Sequence, residues 1–296
     1  SFTFVATVNS IVLAGATPVL VDIERETRNV SPKSIEEAIT KKTEAIMVVH
    51  YAGLPANMPK IIEIAQKHDL SIIEDSAECL GGSYHGIQAG SYDIGCFSFF
   101  PTKNITTGEG GMLTTNDDKI AGNVRALCAH GIDSTTFSRE KEKRSWNRSA
   151  SMYGYNFRMS NLLAAIGVEQ MKKLNILNSS RQRIAEQYQS NLSHLKEISF
   201  QQVPEGFENS WQMFTILVTQ NIRDDLLLFL RSENIGASVH FDPPIHIQPF
   251  YSNIIKGTSL TVTEEVANSI ISLPIYPGMS LEEVDQICEL ITAYVK

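Results

Sequence analysis

Three shortages in this sequence each argue against a class of protein. The four cysteines have no short paired spacing, so neither a zinc cage nor a Cys-x-x-Cys redox pair is indicated. Lysine and arginine number 25 against 33 aspartates and glutamates, and the formal charge of −8 would repel a nucleic-acid backbone. No run is long and apolar enough to predict a membrane-spanning helix, and no signal peptide is recognisable. The sequence therefore predicts a cytoplasmic protein without nucleic-acid partners or membrane insertion.

Apolar residues, by contrast, are abundant. Hydrophobic side chains make up 43% of the 296 residues, which is enough for one large domain or two modest ones. In the first half, short apolar runs alternate with helical periodicity, a pattern typical of parallel strands joined by crossover helices, and this predicts an α/β fold. Strands are predicted at 18–21, 45–50, 71–75, 94–99 and 111–115. The chain opens directly on a strand-like run, and we interpret it as beginning inside a domain.

Capping residues mark several helix boundaries. Ser31 before Pro32 predicts one start, and Ser280 with Glu283 predicts a capping box on the final helix. A helix is also predicted at 59–68, and a long one from Ser160 onward, connecting two lobes. The remaining predictions are a polar surface loop at 134–151, strands at 212–218 and 237–241, and a helix at 223–234. We therefore predict a large domain at 1–160, then the connecting helix and a small α+β domain at 161–296.

The segment with the clearest chemical potential is FSFFPTKNITTGEGGMLTT, 97–115, in which a lysine-bearing turn and a glycine-rich turn separate two strands. Partial desolvation of Lys103 at the strand end favours the neutral amine that attacks a carbonyl. Lys103 is therefore a candidate for Schiff-base chemistry, with a solvated loop lysine as the alternative. The hydroxyl of Ser98 could bind a phosphate oxygen, or it could instead bond to the neighbouring backbone.

Asp75 ends the run LSIIED, whose isoleucines predict a buried strand. Ligands of open α/β sheets collect beyond the carboxyl ends of such strands. A buried carboxylate there needs a cationic partner or several hydrogen-bond donors, and a protonated pyridine nitrogen would supply one. The alternative interpretations of Asp75 are a helix N-cap or a structural ion pair.

A series of motifs, in order along essentially the whole chain, resembles the DegT/DnrJ/EryC1/StrS family of sugar aminotransferases. The motifs are SFTFVAT, GATPVLVDI, HYAG, EDSAECLG, FSFFPTKN, TTGEGGM, YNFRMSNLLAAIG, VHFDPPIH and SLPIYPGM. The resemblance implies a pyridoxal-phosphate (PLP) enzyme of the aspartate aminotransferase fold, fold type I. Its cofactor would be bound by the large domain at 1–160.

The resemblance also assigns roles by position. It makes Lys103 the lysine that binds the cofactor and carries the proton, and Asp75 the partner that keeps the pyridine nitrogen protonated. Phe4 matches the aromatic residue that stacks on the cofactor ring, and Ser98 matches a phosphate ligand. Asn156 matches the asparagine that reaches the phosphate from the neighbouring subunit. A homodimer with shared active sites is therefore implied.

Three further positions are assigned less fully. Arg158 and His240 match residues near the acceptor sugar or the cofactor phosphate; their alternatives are a surface cation and a hydrogen-bonded strand-end histidine. Glu78 departs from the glutamine or histidine usual near the cofactor's O3′, and it resembles the perosamine-synthase branch, where C4 is aminated. Its alternative is a solvated residue in the first turn of a helix. The family's Gly-Thr phosphate turn is absent from this chain, which we interpret as missing its N-terminal portion.

These assignments predict a sugar-nucleotide aminotransferase. L-Glutamate would donate the amino group, and a nucleotide-linked keto-deoxy sugar, here a 4-keto-6-deoxyhexose, would accept it. The product would enter surface polysaccharide biosynthesis, such as that of lipopolysaccharide O-antigen. The alternatives are a PLP-dependent deoxysugar dehydratase, which would carry histidine in place of Lys103, an inactive PLP-binding protein, and a cofactor-free Schiff-base aldolase.

Overall fold

The computed structural model describes residues 1–134, 140–141, 146, 148–219, 222–255 and 259–295. The α-helices are Val5–Leu13, Pro32–Ala38, Met58–His68, Asp118–Cys128, Asn161–Met171, Leu174–Leu192, Arg223–Ser232, Pro249–Ile254, Thr261–Ala267 and Leu281–Val295. The strands are β1 (Ala45–Val49), β2 (Ser71–Asp75), β3 (Ser83–Tyr84), β4 (Ile87–Gln88), β5 (Ile94–Ser98), β6 (Gly111–Thr115), β7 (Ile198–Phe200), β8 (Phe207–Glu208), β9 (Phe214–Val218) and β10 (Ile270–Leu273). Within these described ranges, no helix combines the length and apolarity needed to cross a membrane.

A four-stranded sheet in the order β1-β2-β5-β6 organises the first half of the chain. Strands β1, β2 and β5 run parallel, and β6 pairs antiparallel with β5. The helix Met58–His68 packs its apolar face, including Ile61, against Ile46 and Ile72 of the sheet. Because the parallel strands end at one edge, Asp75 lies beside Val49 and Cys96 there. The predicted α/β fold is confirmed.

A second sheet, β10-β9-β7, is antiparallel and belongs to the C-terminal half. Strand β9 is buried along its whole length. The helices Leu174–Leu192 and Leu281–Val295 cover it, with Tyr188 and Ile287 in the same apolar cluster as Phe214. A separate cluster joins Phe2 and Tyr51 to Leu217. This cluster brings the start of the chain, the end of β1 and the second sheet together beside the sheet edge that carries Asp75.

The sequence predictions of helix caps are confirmed. The Ser31 hydroxyl accepts a hydrogen bond from the Ser34 N–H at 3.3 Å. In the final helix, the Ser280 N–H donates to Glu283 Oε2 at 2.8 Å, and the Glu283 N–H donates back to Ser280 Oγ at 3.2 Å. Both arrangements satisfy backbone donors that a helix start leaves free, which is why capping residues can be recognised from local sequence.

Three predictions of secondary structure are wrong. Residues 18–21 and 237–241 are not strands, because a strand needs a hydrogen-bonded neighbour along its length. Residues 18–21 form no bridge, and 237–241 pair only through the isolated bridge Ser238–Ser272. The single long helix from Ser160 is two helices, Asn161–Met171 and Leu174–Leu192. They are separated by a tight turn in which the Lys173 N–H bonds the Gln170 carbonyl at 2.9 Å. Much of the loop predicted at 134–151 lies outside the described residues.

Candidate active site

Lys103 lies in the turn that follows β5, and its side chain is largely shielded from solvent. Only 18% of the side chain is exposed, and its Nζ is 3.7 Å from Oε1 of Glu78. The Lys103 N–H closes the turn by donating to the Phe100 carbonyl at 3.0 Å. This geometry rules out the interpretation of a solvated loop lysine. It leaves an amine paired with one buried carboxylate.

The Glu78 side chain is buried between Lys103 and the turn after β1. Its Oε2 accepts a hydrogen bond from the Ala52 N–H at 3.2 Å. Burial raises the pKa of Glu78, and although Lys103 and the Ala52 N–H oppose this rise, the negative charge of Asp75 adds to it. Glu78 is therefore not a solvated residue. It is the polar side chain in direct ionic contact with the Lys103 amine.

Asp75 ends β2, and its carboxylate is oriented by donors on both oxygens. The Thr7 hydroxyl donates to Oδ2 at 2.7 Å, and the Ala77 N–H donates to Oδ1 at 3.2 Å. Thr7 lies in the first turn of the helix Val5–Leu13, and the amino end of a helix favours a nearby negative charge. The Thr7 hydroxyl is itself 2.8 Å from the Thr3 hydroxyl. The first helix thus holds Asp75 in one orientation.

His240 belongs to the C-terminal half of the chain and contacts Ser272 and Tyr51. Its Nδ1 is 2.9 Å from the Ser272 hydroxyl, and its carbonyl accepts a bond from the Tyr51 hydroxyl at 2.7 Å. Burial lowers the pKa of His240, and the positive charge of Lys103 lowers it further. The charge of Lys103 thus acts on the His240 imidazole, which supports a place for His240 in the same site.

Phe4 and Ser98 lie at the margin of this group. Phe4 immediately precedes the helix that carries Thr7, and its ring is 59% exposed, with the Phe241 ring 6.3 Å away. Ser98 is the last residue of β5, and its Oγ accepts a hydrogen bond from the Phe100 N–H at 3.3 Å. The Ser98 contact uses the oxygen as an acceptor, so its O–H can still donate to a ligand.

Asn156 and Arg158 lie elsewhere, on an exposed segment. Two guanidinium nitrogens of Arg158 donate to Asn156 Oδ1, at 3.4 and 3.2 Å, and one is 3.4 Å from His130 Nε2. Across the part of the chain that the structure describes, these contacts do not reach Lys103 or Asp75. The structure therefore groups Lys103, Glu78 and Asp75, with His240 near them, and it leaves this pair outside that group.

Sequence reasoning missed Thr7, Tyr51, Ser272 and Gln212 around this site. Thr7 lies within SFTFVAT, one helical turn after Phe4, and that spacing alone could have placed both on one face of the helix. The other three come from distant parts of the chain. Tyr51 stands in the motif HYAG and Ser272 opens the motif SLPIYPGM, but no local pattern pointed to Gln212, whose Nε2 donates to the Thr102 carbonyl next to Lys103.

A comparison with protein-family profiles matches residues 1–292 to the DegT/DnrJ/EryC1/StrS aminotransferase family. The chain belongs to this family. The spore coat polysaccharide biosynthesis protein SpsC of Bacillus subtilis is 35% identical over 302 residues, which cover 99% of this chain and 77% of SpsC. The resemblance seen in the motifs is therefore confirmed over nearly the whole chain.

Solved structures agree with this assignment. Helicobacter pylori PseC, an aminotransferase involved in the biosynthesis of pseudoaminic acid, has a TM-score of 0.92 and 28% identity, covering 99% of this chain and 77% of its own. The PLP form of the putative sugar aminotransferase Spr1654 from Streptococcus pneumoniae has a TM-score of 0.89 and 27% identity, covering 99% and 79%. The fold is therefore fold type I, and the protein is a PLP-dependent sugar aminotransferase.

The residues of this chain fit the cofactor. A shielded lysine amine faces a buried carboxylate, and a second carboxylate is oriented by the first helix. The ring of Phe4 is open to a planar partner, although Thr7, one turn later, is buried. Within the described ranges, no group of three or more histidine, cysteine, aspartate or glutamate side chains could hold a metal ion. The polar groups instead suit an aldehyde, a pyridine nitrogen and a phosphate.

Proposed function

We propose that the protein transfers the amino group of L-glutamate to C4 of a nucleotide-linked 4-keto-6-deoxyhexose. The observation that carries the proposal is the convergence of Lys103, Glu78 and Asp75 at one sheet edge. An amine that binds a carbonyl and a carboxylate that fixes a pyridinium are the two protein groups that PLP-dependent transamination requires.

The roles of the residues follow from their contacts. When bound, PLP supplies an aldehyde that exchanges amines and a ring that accepts electrons from the reacting carbon. Lys103 carries the proton at that carbon, and its partial burial keeps bulk water from competing for it. Asp75, fixed by the Thr7 hydroxyl, would stabilise the positive charge of the pyridine nitrogen. Glu78 would bond near the cofactor's O3′, and Ser98 would donate a hydrogen bond to the phosphate.

The names of the relatives support a sugar nucleotide as the acceptor. SpsC is a spore coat polysaccharide biosynthesis protein, and PseC is involved in the biosynthesis of pseudoaminic acid. We propose that the product here also enters a surface polysaccharide, such as O-antigen. Because nucleotide sugars are made in the cytoplasm, the proposal places the enzyme there, and cell fractionation would check it. Glu78, which resembles the perosamine-synthase branch, supports C4 over C3.

The proposal includes a homodimer in which Asn156 and Arg158 serve the partner's site, with His240 acting from within the same chain. An apolar surface next to this pair supports a dimer. The helix Asn161–Met171 has no buried residue, and Leu162 is 81% and Phe157 69% exposed. Contiguous exposed apolar side chains of this kind mark protein interfaces. A large domain at 1–160 and a second unit at 161–296 complete the proposal.

The first experiment tests transamination. Purified protein mixed with PLP should develop the visible absorption band of lysine-bound cofactor, and adding L-glutamate should convert it to the pyridoxamine form. Lys103→Ala should form no such band. If the band forms but L-glutamate leaves it unchanged, the donor is wrong or the protein only binds the cofactor. If no band forms, PLP chemistry at Lys103 is refuted.

The second experiment tests the acceptor and the dimer. Nucleotide-linked 4-keto-6-deoxy and 3-keto-6-deoxy sugars are offered separately, and mass spectrometry distinguishes amination from loss of water. Amination of the 4-keto sugar is expected, and exclusive use of the 3-keto sugar would refute the C4 assignment. Mixing inactive Lys103→Ala with Asn156→Ala should restore activity, because a mixed dimer contains one intact site. If mixing restores nothing, the sites are not shared.

A further inference from the structure

The residues before and after Lys103, Thr102 and Asn104, both hydrogen-bond to one short segment of the C-terminal half, 210–212. On one side, Gln212 Nε2 donates to the Thr102 carbonyl at 3.0 Å. On the other side, Asn104 Nδ2 donates to the Ser210 carbonyl at 2.9 Å. The lysine therefore stands between two side-chain-to-backbone hydrogen bonds that both lead to 210–212.

Both donor side chains are buried. Asn104 is 4% and Gln212 7% exposed. The backbone of Gln212 is itself held, because Arg181 Nη1 contacts its carbonyl at 3.4 Å and the Ile275 carbonyl at 2.9 Å. Segment 210–212 is thus held in place by contacts of its own, and it can fix the position of the lysine turn.

The same network reaches the turn that carries Glu78. Asn104 Nδ2 also lies 2.8 Å from Asn178 Oδ1, and Asn178 Nδ2 donates to the Leu80 carbonyl at 3.1 Å. Leu80 is two residues beyond Glu78. The turns that carry Lys103 and Glu78 are therefore both connected to the hydrogen-bonded pair Asn104–Asn178. This pair fixes the two turns relative to each other, and with them the 3.7 Å contact between Lys103 Nζ and Glu78 Oε1.

We propose that Asn104 and Gln212 are positioning residues for Lys103, an inference that rests on the proposed function. The lysine side chain has four flexible carbons, and it must move between the cofactor and a proton-carrying position. The hydrogen bonds of Thr102 and Asn104 fix the position of the Lys103 Cα. The amine therefore starts from the same place in every catalytic cycle, and its range of motion is restricted. Misplacement by about 1 Å costs a catalytic group a large part of its rate.

The test uses Gln212→Met, which keeps the length of the side chain but removes its donor, and Asn104→Ala. Gln187→Met is the matched control. Gln187 is partly buried, and its Nε2 donates to Asp285 Oδ1 at 2.6 Å, between the two helices that cover the second sheet. For each protein we measure the melting temperature without cofactor, the rate at which the lysine–cofactor band grows after mixing with PLP, and kcat and KM for L-glutamate.

A positioning role predicts that both test variants form the band roughly five- to tenfold more slowly and lose kcat by a similar factor, with KM nearly unchanged. Gln187→Met should lower the melting temperature comparably but leave both rates within about twofold of the parent. If the variants melt lower yet keep the parent's band rate and kcat, the role is purely structural and the proposal fails. If Asn104→Ala does not fold, Gln212→Met decides alone. A parent that shows no band or no response to L-glutamate refutes the proposed function instead.

Discussion

The contact between Thr7 and Asp75 yields the most direct prediction. Thr7→Val keeps the shape of the side chain but removes the hydroxyl that donates to Asp75 Oδ2 at 2.7 Å. A buried hydrogen bond to a charged group contributes about 1.5–3 kcal/mol, and the Thr3 hydroxyl, 2.8 Å away, also loses its partner. We therefore expect the free energy of unfolding to fall by about 2 kcal/mol.

The same change should weaken cofactor binding, because Asp75 would no longer be held in one orientation. If about half of that energy is needed to orient the carboxylate, the dissociation constant of PLP should rise roughly fivefold. Titration of the cofactor-free protein with PLP measures the constant, and thermal unfolding measures the stability. Thr7→Ser, which keeps the donor, is the control and should behave like the parent. Parent-like PLP binding by Thr7→Val would refute the idea that Thr7 orients Asp75.

Three further predictions concern stability without cofactor, measured as melting temperature. Burial alone would raise the pKa of Glu74, but bonds from His50, Gly90 and Tyr92 outweigh it and hold the pKa below its ordinary 4.5. Glu74→Gln should therefore melt lower than the parent at pH 7, and the gap should close as the pH falls below about 4.5. The effect of Glu78 on stability is the opposite. Because its pKa is raised in the folded protein, stability is lost as the pH rises from the ordinary value of 4.5 through the folded-state pKa. Glu78→Gln should therefore melt higher than the parent at pH 7, with no difference below about pH 4.5. Ser31→Ala should cost about 1 kcal/mol at every pH, because it removes an uncharged helix cap.

Opposite results would count against each argument. A Glu74→Gln protein as stable as the parent at pH 7 would mean that the carboxylate gains nothing from its three donors. A Glu78→Gln protein that melts lower at pH 7 would mean that the ion pair with Lys103 outweighs burial. Ser31→Thr keeps the hydroxyl, so it is the control for the cap, and a similar loss there would point to packing instead.

Local patterns predicted the elements whose stabilising contacts are close in sequence. The capping box of Ser280 and Glu283 spans four residues, and the helix Met58–His68 shows its apolar face in its own periodicity. Strands failed where the deciding contact is remote. Residues 18–21 and 237–241 have strand-like composition, but the first segment forms no bridge and the second forms only one. No local signal reports whether a neighbouring strand is present.

The sequence by itself determined the family and the cofactor. It also predicted Lys103 and Asp75 as site residues, because covalent chemistry demands specific side chains in recognisable motifs. Only the tertiary structure decided what surrounds them. Thr7 reaches Asp75 across 68 positions, and Gln212 reaches Thr102 across 110. The strength of these contacts depends on distance and burial, and neither quantity exists until the chain has folded. For the same reason, the structure placed Glu78 against the lysine, whereas the motif alone left it open to a solvated position.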